Sequence, residues 1–240
     1  MQRRHHTGHR HAVALILTTL LAGPGIVSAH EPAYTRSFML GRCGGFSSIG
    51  RNPFFILEPG YKLVLAGVED GVVKRLVVTV RNQTRVIEGV ETRLVEERET
   101  EDGELVEVSR NYFAICNRTN SVIYFGEKVD IYEDGVIVGH EGEWLAGVNG
   151  ARPGIIMPGT VLLGARYFQE IAPGVALDRA EIVRLNATVQ TPAGRFRGCL
   201  RTRETTPLEP EEVEFKSYAP GIGLIQDEVL RLVRIVRPGD

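Results

Sequence analysis

Residues 61–115 read YKLVLAGVEDGVVKRLVVTVRNQTRVIEGVETRLVEERETEDGELVEVSRNYFAI. This stretch is rich in β-branched residues, and apolar and polar side chains alternate within residues 90–96, VETRLVE. Such alternation indicates a β-strand with one face in the core and one face in water. The tripeptide Glu101-Asp102-Gly103 interrupts the pattern, and it predicts a tight hairpin turn because glycine readily adopts a positive φ. The stretch is therefore predicted to form consecutive antiparallel strands.

The same pattern continues through the rest of the chain. Glu133-Asp134-Gly135 and Thr191-Pro192-Ala193-Gly194 predict two further turns, and no window shows convincing helical periodicity with caps. Gly142–Gly159 holds five glycines and two prolines, which predicts a long structured loop. About eleven or twelve strands must curve to hide their edges. We predict an all-β fold whose mostly antiparallel curved sheet closes into a barrel or half-barrel.

The first 29 residues differ in composition from the rest of the chain. Three arginines precede an apolar stretch at residues 12–22, and Val27-Ser28-Ala29 then supplies the small residues of a signal-peptidase site. The apolar run has about 11 residues, fewer than the about 20 that a membrane span needs. The protein is predicted to be exported, periplasmic or secreted, without a transmembrane segment. The predicted organisation is a signal peptide at 1–29, an irregular N-terminal arm at 30–51 and a single β domain at 52–240.

The charge balance argues against a nucleic-acid partner. The chain has 28 Lys and Arg residues and 30 Asp and Glu residues. Three of the cations and none of the acids precede residue 30, so the predicted mature chain has a net charge of −5. Nucleic-acid-binding domains carry a basic patch instead.

Three cysteines lie beyond the predicted signal peptide: Cys43, Cys116 and Cys199. Export permits a disulfide, and the odd count leaves at least one thiol unpaired. None of the spacings resembles the CxxC pattern of a zinc site. We favour a Cys43–Cys116 pair because Cys199 lies in what reads as a core strand. Three unpaired cysteines are the alternative.

The Gly-rich loop carries the densest group of polar and aromatic residues. It holds Trp144, Asn149 and Arg152, and loops held by a rigid scaffold often supply binding residues. The alternative is structural: Trp144 fills the core and Arg152 pairs with a glutamate to fix the loop. Further polar candidates lie at strand ends, namely Tyr124, Glu127, Glu170, Asp178 and Glu204.

A pair of carboxylates would provide general acid–base chemistry or hold a cation. The chain has no GxSxG or HExxH motif, so serine-nucleophile and zinc-protease chemistry have no support. No cofactor is expected. The catalytic candidates are Glu141, Glu143, Glu170 and Glu204.

His30 would become the N-terminus after cleavage at Ala29, and His140 is the only other histidine beyond that point. An N-terminal amine and two imidazoles suit Cu(II), so a copper brace of His30 and His140 is one hypothesis. The alternative is that His30 begins a frayed arm, as most termini do. Two histidines are few ligands, and we expect no metal site.

Several motifs resemble those of an uncharacterised family of secreted bacterial β-rich proteins. The likeness covers nearly all of Asn52–Val236 and implies export, but no established activity. A weaker likeness, in Thr191–Phe196, Cys199-Leu200 and Tyr218–Gly223, is to half-barrels of the periplasmic lipoprotein-carrier type. The motifs of the first likeness are Asn52–Phe55, Leu57–Gly60, Tyr124–Glu127, Glu141–Gly159, Gly164–Glu170, Thr205–Pro210 and Tyr218–Gly223.

We expect a binding protein whose curved sheet holds a small apolar or amphiphilic ligand. Arg152 would then meet an anionic head group. One alternative is a carboxylate-dependent hydrolase or lyase acting on an extracellular glycan or ester. Another is a structural envelope protein without a pocket. The predicted ligand-binding residues are Phe54, Phe55, Tyr124, Trp144, Arg152 and Met157.

Overall fold

β-branched and alternating stretches form strands throughout the computed structural model, which describes residues 33–239. The signal peptide predicted at 1–29 and the proposed copper ligand His30 lie outside the described residues. Helical structure within residues 33–239 is confined to a 3-10 turn at Leu40–Arg42, so this range has no helix long and apolar enough to cross a membrane. The eighteen strands are β1 Phe46–Ser47, β2 Gly50–Asn52, β3 Phe55–Leu57, β4 Lys62–Glu69, β5 Val72–Ile87, β6 Val90–Glu101, β7 Glu104–Cys116, β8 Val122–Glu133, β9 Val136–Gly139, β10 Trp144–Leu145, β11 Arg152–Met157, β12 Arg166–Phe168, β13 Glu170–Ile171, β14 Arg179–Thr191, β15 Gly194–Thr205, β16 Glu214–Ala219, β17 Gly223–Asp227 and β18 Leu230–Val236.

Sixteen of these strands belong to one antiparallel sheet that curves into a nearly closed barrel. β1 pairs with β7, while β9 and β10 pair with β8. The two remaining strands, β2 and β3, pair with each other. The predicted all-β barrel-like fold is therefore confirmed. The main path through the sheet runs β12-β14-β15-β16-β17-β18-β4-β5-β6-β7-β8-β11-β13.

The predicted turns join neighbouring strands. Asp102 and Gly103 connect β6 to β7 with φ values of 49° and 91°, and Asp134 and Gly135 connect β8 to β9 with φ values of 50° and 75°. Two positive φ angles in a two-residue loop match the twist of the flanking strands. The Gly- and Pro-rich segment 142–159 is a long connection that also carries β10 and β11.

The two ends of the sheet path are adjacent in the chain. β12 ends at Phe168 and β13 begins at Glu170, so Gln169 alone links them. Gly154 of β11 lies against this link. A Cβ atom on Gly154 would stand 2.3 Å from the carbonyl oxygen of Gln169 and 2.6 Å from that of Phe168. The missing side chain at position 154 therefore allows the barrel to close.

Gly154→Ala is expected to lower the free energy of unfolding by about 3 kcal/mol, because the new methyl group must displace backbone rather than a flexible side chain. For a domain of this size that corresponds to a fall in Tm of about 6–12 °C. Thermal unfolding followed by circular dichroism would measure it. Gly41→Ala is the control, since a Cβ atom there has nothing within 4 Å. Equal melting of both variants would show that Gly154 is not needed for closure.

The segment before Asn52 is attached to the barrel at several points. Thr35 forms a parallel bridge with Tyr167 along the outer edge of β12, and β1 pairs with the end of β7. A disulfide joins Cys43 to Cys116, which confirms the favoured pair. Cys199 is a buried free thiol. The arm therefore covers an edge that would otherwise present unpaired backbone groups.

Candidate functional site

The inner face of the barrel surrounds a cavity of about 420 Å³. This volume lies within the range of about 300–1,000 Å³ that is typical of small-molecule sites. Inward-facing side chains of several strands make one part of the wall apolar. The apolar lining residues include Phe55, Ile56, Leu63, Val78, Val80, Val95, Phe113, Ile156, Ile222 and Leu224.

The rest of the cavity wall is strongly acidic. Lys216 is the only Lys, Arg or His among the described residues that line the cavity, against eight carboxyl groups. Asn111 and Gln169 add amide groups. The cavity wall thus has an apolar part and an acidic part, which we call the acidic end. The eight acidic lining residues are Glu97, Glu127, Glu170, Asp178, Glu204, Glu209, Glu212 and Asp227.

Strand register places these polar groups side by side. Glu97 of β6 lies opposite Ser109 of β7, and Asn111 of β7 lies opposite Glu127 of β8. In another part of the sheet, Lys216 of β16 lies opposite Asp227 of the neighbouring strand β17. Side chains that face each other on antiparallel strands have Cβ atoms about 5 Å apart. The acidic end is therefore made by two separate groups of neighbouring strands.

Burial changes the protonation of the carboxyl groups on β6 and β8. It raises the pKa of Glu97 to about 8, and repulsion from Glu99 and Glu127 adds to the effect while Lys216 opposes it. Burial also raises the pKa of Glu127 to about 7, although hydrogen bonds from Ser109 and Tyr124 oppose the shift. Glu97 and Glu127 keep some accessible surface because they line the cavity. Both carboxyls are thus poised to change charge near neutral pH.

Lys216 lies among three carboxylates. Its Nζ is 3.3 Å from Glu204 Oε2, 3.5 Å from Glu214 Oε2 and 3.7 Å from Asp227 Oδ2. Burial alone would lower the pKa of Lys216, but attraction to these carboxylates outweighs it and holds that pKa well above its usual value. The ammonium group therefore stays charged and is already engaged by protein groups.

Glu170 and Asp178 form a hydrogen-bonded pair at the link between β12 and β13. Glu170 is only 3% exposed, and its Oε1 accepts a hydrogen bond of 2.9 Å from the backbone N–H of Asp178. Burial and the nearby Asp178 carboxylate raise the pKa of Glu170 well above its usual value. Burial also raises the pKa of Asp178, but the hydrogen bond between the two side chains raises the pKa of Glu170 and lowers that of Asp178. Glu170 is therefore the protonated partner and can donate to Asp178.

The raised pKa of Glu97 predicts a pH-dependent stability. An unfolded glutamate ionises near pH 4.5, whereas Glu97 in the folded protein ionises near pH 8. Its contribution to stability is complete below pH 4.5 and is lost as the pH rises through 8. Glu97→Gln should therefore raise the free energy of unfolding by about 2 kcal/mol at pH 9, or about 4–8 °C in Tm, and leave it unchanged at pH 4.

Thermal melts of Glu97→Gln at pH 4 and pH 9 would test this, with Glu104→Gln as the matched control. Glu104 is exposed at the β6–β7 turn, so its loss should leave Tm unchanged at both pH values. A Glu97→Gln variant that melts like the wild type at pH 9 would contradict the buried, protonated state of Glu97.

Phe55 and all five polar residues that the sequence predicts at strand ends line the cavity. The three apolar candidates Phe54, Trp144 and Met157 are buried but do not belong to the lining. Trp144 packs edge-on against Tyr124 with ring centroids 5.1 Å apart, and its Nε1 has no hydrogen-bond partner. The five residues brought together are Tyr124, Glu127, Glu170, Asp178 and Glu204.

The other candidates lie away from the cavity lining. Glu141 and Arg152 are exposed, and Glu143 forms an ion pair of 2.8 Å with Lys128. His140 Nδ1 lies 2.6 Å from the carbonyl oxygen of Val129 and 3.2 Å from an Asp130 oxygen. Within residues 33–239, no group of three or more His, Cys, Asp and Glu side chains is arranged to hold a metal ion.

Comparison with known proteins assigns no family. No family model matches the chain, and no curated protein matches it. One solved structure is similar, described as a "putative lipoprotein" from Parabacteroides distasonis ATCC 8503. It is 14% identical, covers 78% of this chain and 100% of its own, and superposes with a TM-score of 0.37. At this distance the likeness assigns neither a ligand nor an activity.

Proposed function

We propose that this protein binds a small amphiphilic ligand inside its barrel. The observation that carries the proposal is the cavity of about 420 Å³, whose wall combines apolar side chains of β4–β7 with eight carboxyl groups. Binding sites for small molecules combine such apolar walls with a few polar groups that orient the ligand. The same cavity gives no support to a pocket-free envelope protein.

The proposed compartment is the periplasm or the extracellular space. Two independent features support export: the signal-like composition of residues 1–29 and the Cys43–Cys116 disulfide. Disulfides form and persist in oxidising compartments and are rare in the cytosol. Expression with residues 1–29 intact, followed by N-terminal sequencing of the exported fraction, tests this, and an unprocessed product in the cytosol would contradict it.

A cavity-blocking variant tests ligand binding. Leu224 is half-buried and lines the cavity, so Leu224→Trp should fill part of it. We expect the variant to bind the uncharged fluorescent dye Nile red at least about tenfold more weakly than the wild type. Val138→Trp is the control, because Val138 lies on β9 and is 53% exposed. If Leu224→Trp melts cooperatively and still binds like the wild type, the cavity is not the binding site.

The hydrogen-bonded pair Glu170 and Asp178 supports a second candidate function, a carboxylate-dependent hydrolase or lyase. A protonated carboxyl beside a carboxylate supplies the general acid and general base of such chemistry. Glu143 forms an ion pair with Lys128, and Glu141 is exposed. The pair Glu170 and Asp178 is therefore the better candidate for catalysis. Glycan and ester substrates would be screened with the wild type and with Glu170→Gln. Turnover that survives Glu170→Gln would exclude this role.

A further inference from the structure

We infer that the ligand carries a positively charged organic head group, which Glu97 and Glu127 hold at the acidic end of the cavity. This inference rests on the proposed function and specifies its ligand class. It depends on the contacts of Glu97, on the charge of the wall, and on the aromatic rings that lead to it.

Glu97 is a carboxyl group without a partner. It is half-buried, lines the cavity, and forms neither a hydrogen bond nor an ion pair with the described residues. By contrast, Glu204 accepts a hydrogen bond of 2.9 Å from Thr202 and pairs with Lys216. Glu97 keeps some surface that is accessible from the cavity, so its carboxyl group is free to contact a ligand there. Glu97 is therefore positioned to meet a group that enters the cavity.

The cation that acts on Glu97 is Lys216, and other carboxylates hold it. Lys216 is the only cationic side chain among the described lining residues, and three carboxylates already surround its Nζ. An anionic head group would meet the repulsion of the acidic wall. From the sequence alone, Arg152 is expected to bind an anionic head group of the ligand. In the structure Arg152 is exposed and does not line the cavity. The charge of the wall thus favours a cationic ligand.

A row of aromatic rings connects the apolar wall to the acidic end. The ring centroids of Phe55 and Phe113 are 5.1 Å apart, and those of Phe113 and Tyr124 are 4.8 Å apart. The Tyr124 hydroxyl donates to Asn111 Oδ1 at 2.5 Å, and Asn111 lies opposite Glu127 on the neighbouring strand. Aromatic faces attract ammonium groups as well as alkyl chains. A ligand tail can therefore lie along Phe55 and Phe113 while its head reaches Glu127 and Glu97.

The arrangement fits an organic cation better than a metal ion. The carboxyl groups are spread along strands on both sides of the cavity, and the described residues contain no group that converges as metal ligands do. A compact metal ion needs several oxygens around one point. An alkylammonium group is larger and contacts a spread of carboxylates and rings. The predicted ligand class is an amine or quaternary ammonium with an apolar tail.

Binding of such a cation should favour ionised carboxylates and release protons. The charged and titratable groups that act on Glu97 come from four strands: Glu99 of β6, Glu127 of β8, Lys216 of β16 and Asp227 of β17. Because Glu97 and Glu127 are partly protonated near neutral pH, a cation binds more tightly as the pH rises from 6 to 9. A quaternary ammonium probe does not titrate, so its pH dependence reports the protein groups alone.

Calorimetric titration with three probes that share an octyl chain tests the inference: octyltrimethylammonium, octyl sulfate and an uncharged octyl ether. At pH 8 the cation should bind about tenfold more tightly than the uncharged probe, and the sulfate more weakly than both. Glu97→Gln should weaken binding of the cation about tenfold and leave binding of the uncharged probe unchanged. Glu104→Gln, on the exposed turn, should change neither.

The outcomes separate the two proposals. Equal binding of all three probes, with no effect of Glu97→Gln, would overturn the cationic head group while the binding function stands. Preference for octyl sulfate would overturn it as well. Failure of every probe to bind at any pH from 6 to 9 would overturn both. Retained binding of the uncharged probe by Glu97→Gln shows that this variant is folded, so a loss confined to the cation supports the inference.

Discussion

A double variant that replaces Cys43 and Cys116 by serine is expected to lose about 4 kcal/mol of unfolding free energy. The disulfide joins residues 73 positions apart, and breaking it releases a long loop in the unfolded chain. It also holds the segment before Asn52 to the end of β7, where the backbone N–H of Arg118 donates to Cys43 O at 3.0 Å. Thermal unfolding should show a fall in Tm of about 8–16 °C.

Two controls make this measurement specific. Reductant should lower the Tm of the wild-type protein to that of the double variant and leave the variant itself unchanged. Trypsin should cut the variant faster after the exposed Arg42, because this residue adjoins the released cysteine. Equal melting of the wild type and the variant in oxidising buffer would contradict a stabilising role for the disulfide.

Lys216→Met is expected to cost about 3 kcal/mol at pH 8. The substitution removes the cation between Glu204, Glu214 and Asp227 and leaves their carboxylates to repel one another. At pH 5 the cost should be smaller, because burial already raises the pKa of Asp227 and the loss of Lys216 raises it further. Chemical denaturation at the two pH values would measure the difference.

Lys74→Met is the matched control for this variant. Lys74 also contacts two carboxylates, at 2.7 Å from Glu69 and 3.3 Å from Glu101, but these partners lie near a hairpin turn and are nearly half exposed. Exposed ion pairs contribute about 0–1 kcal/mol, so its loss should cost much less at both pH values. Equal costs for both variants would mean that Lys216 behaves as a surface residue.

The fold is predictable from sequence because its signals are local. Turn pairs such as Asp102-Gly103 require backbone angles that few residues tolerate, and runs of β-branched residues such as 77–80 mark strands. The closure of the barrel carries no such signal. It depends on contact between Gly154 and Gln169, and nothing in either residue's neighbours in the chain indicates their approach.

The candidate site was only partly predictable for a similar reason. Glu127 and Glu170 interrupt apolar stretches, and Glu204 ends the strand predicted at 195–204, so these three residues stand out in the sequence. Glu97 lies within the polar run 96–101, EERETE, in which no periodicity shows which side chains face inward. Its inward direction follows from Val95, two residues earlier on the same face and 1% exposed. Lys216 resembles a solvent-facing strand residue until its three carboxylate neighbours are known.

The antiparallel pairing of β18 with β4 has a consequence for the folding pathway. On either side of it, most neighbouring strands are close in sequence, but this pairing joins residues 62–66 to residues 231–236. Contacts at such separation form slowly because a long loop must close first. Glu97 and Glu127 belong to the early strands, whereas Lys216 and Asp227 belong to the late ones. The wall of the cavity is therefore complete only after β18, the last strand of the described residues, has paired with β4.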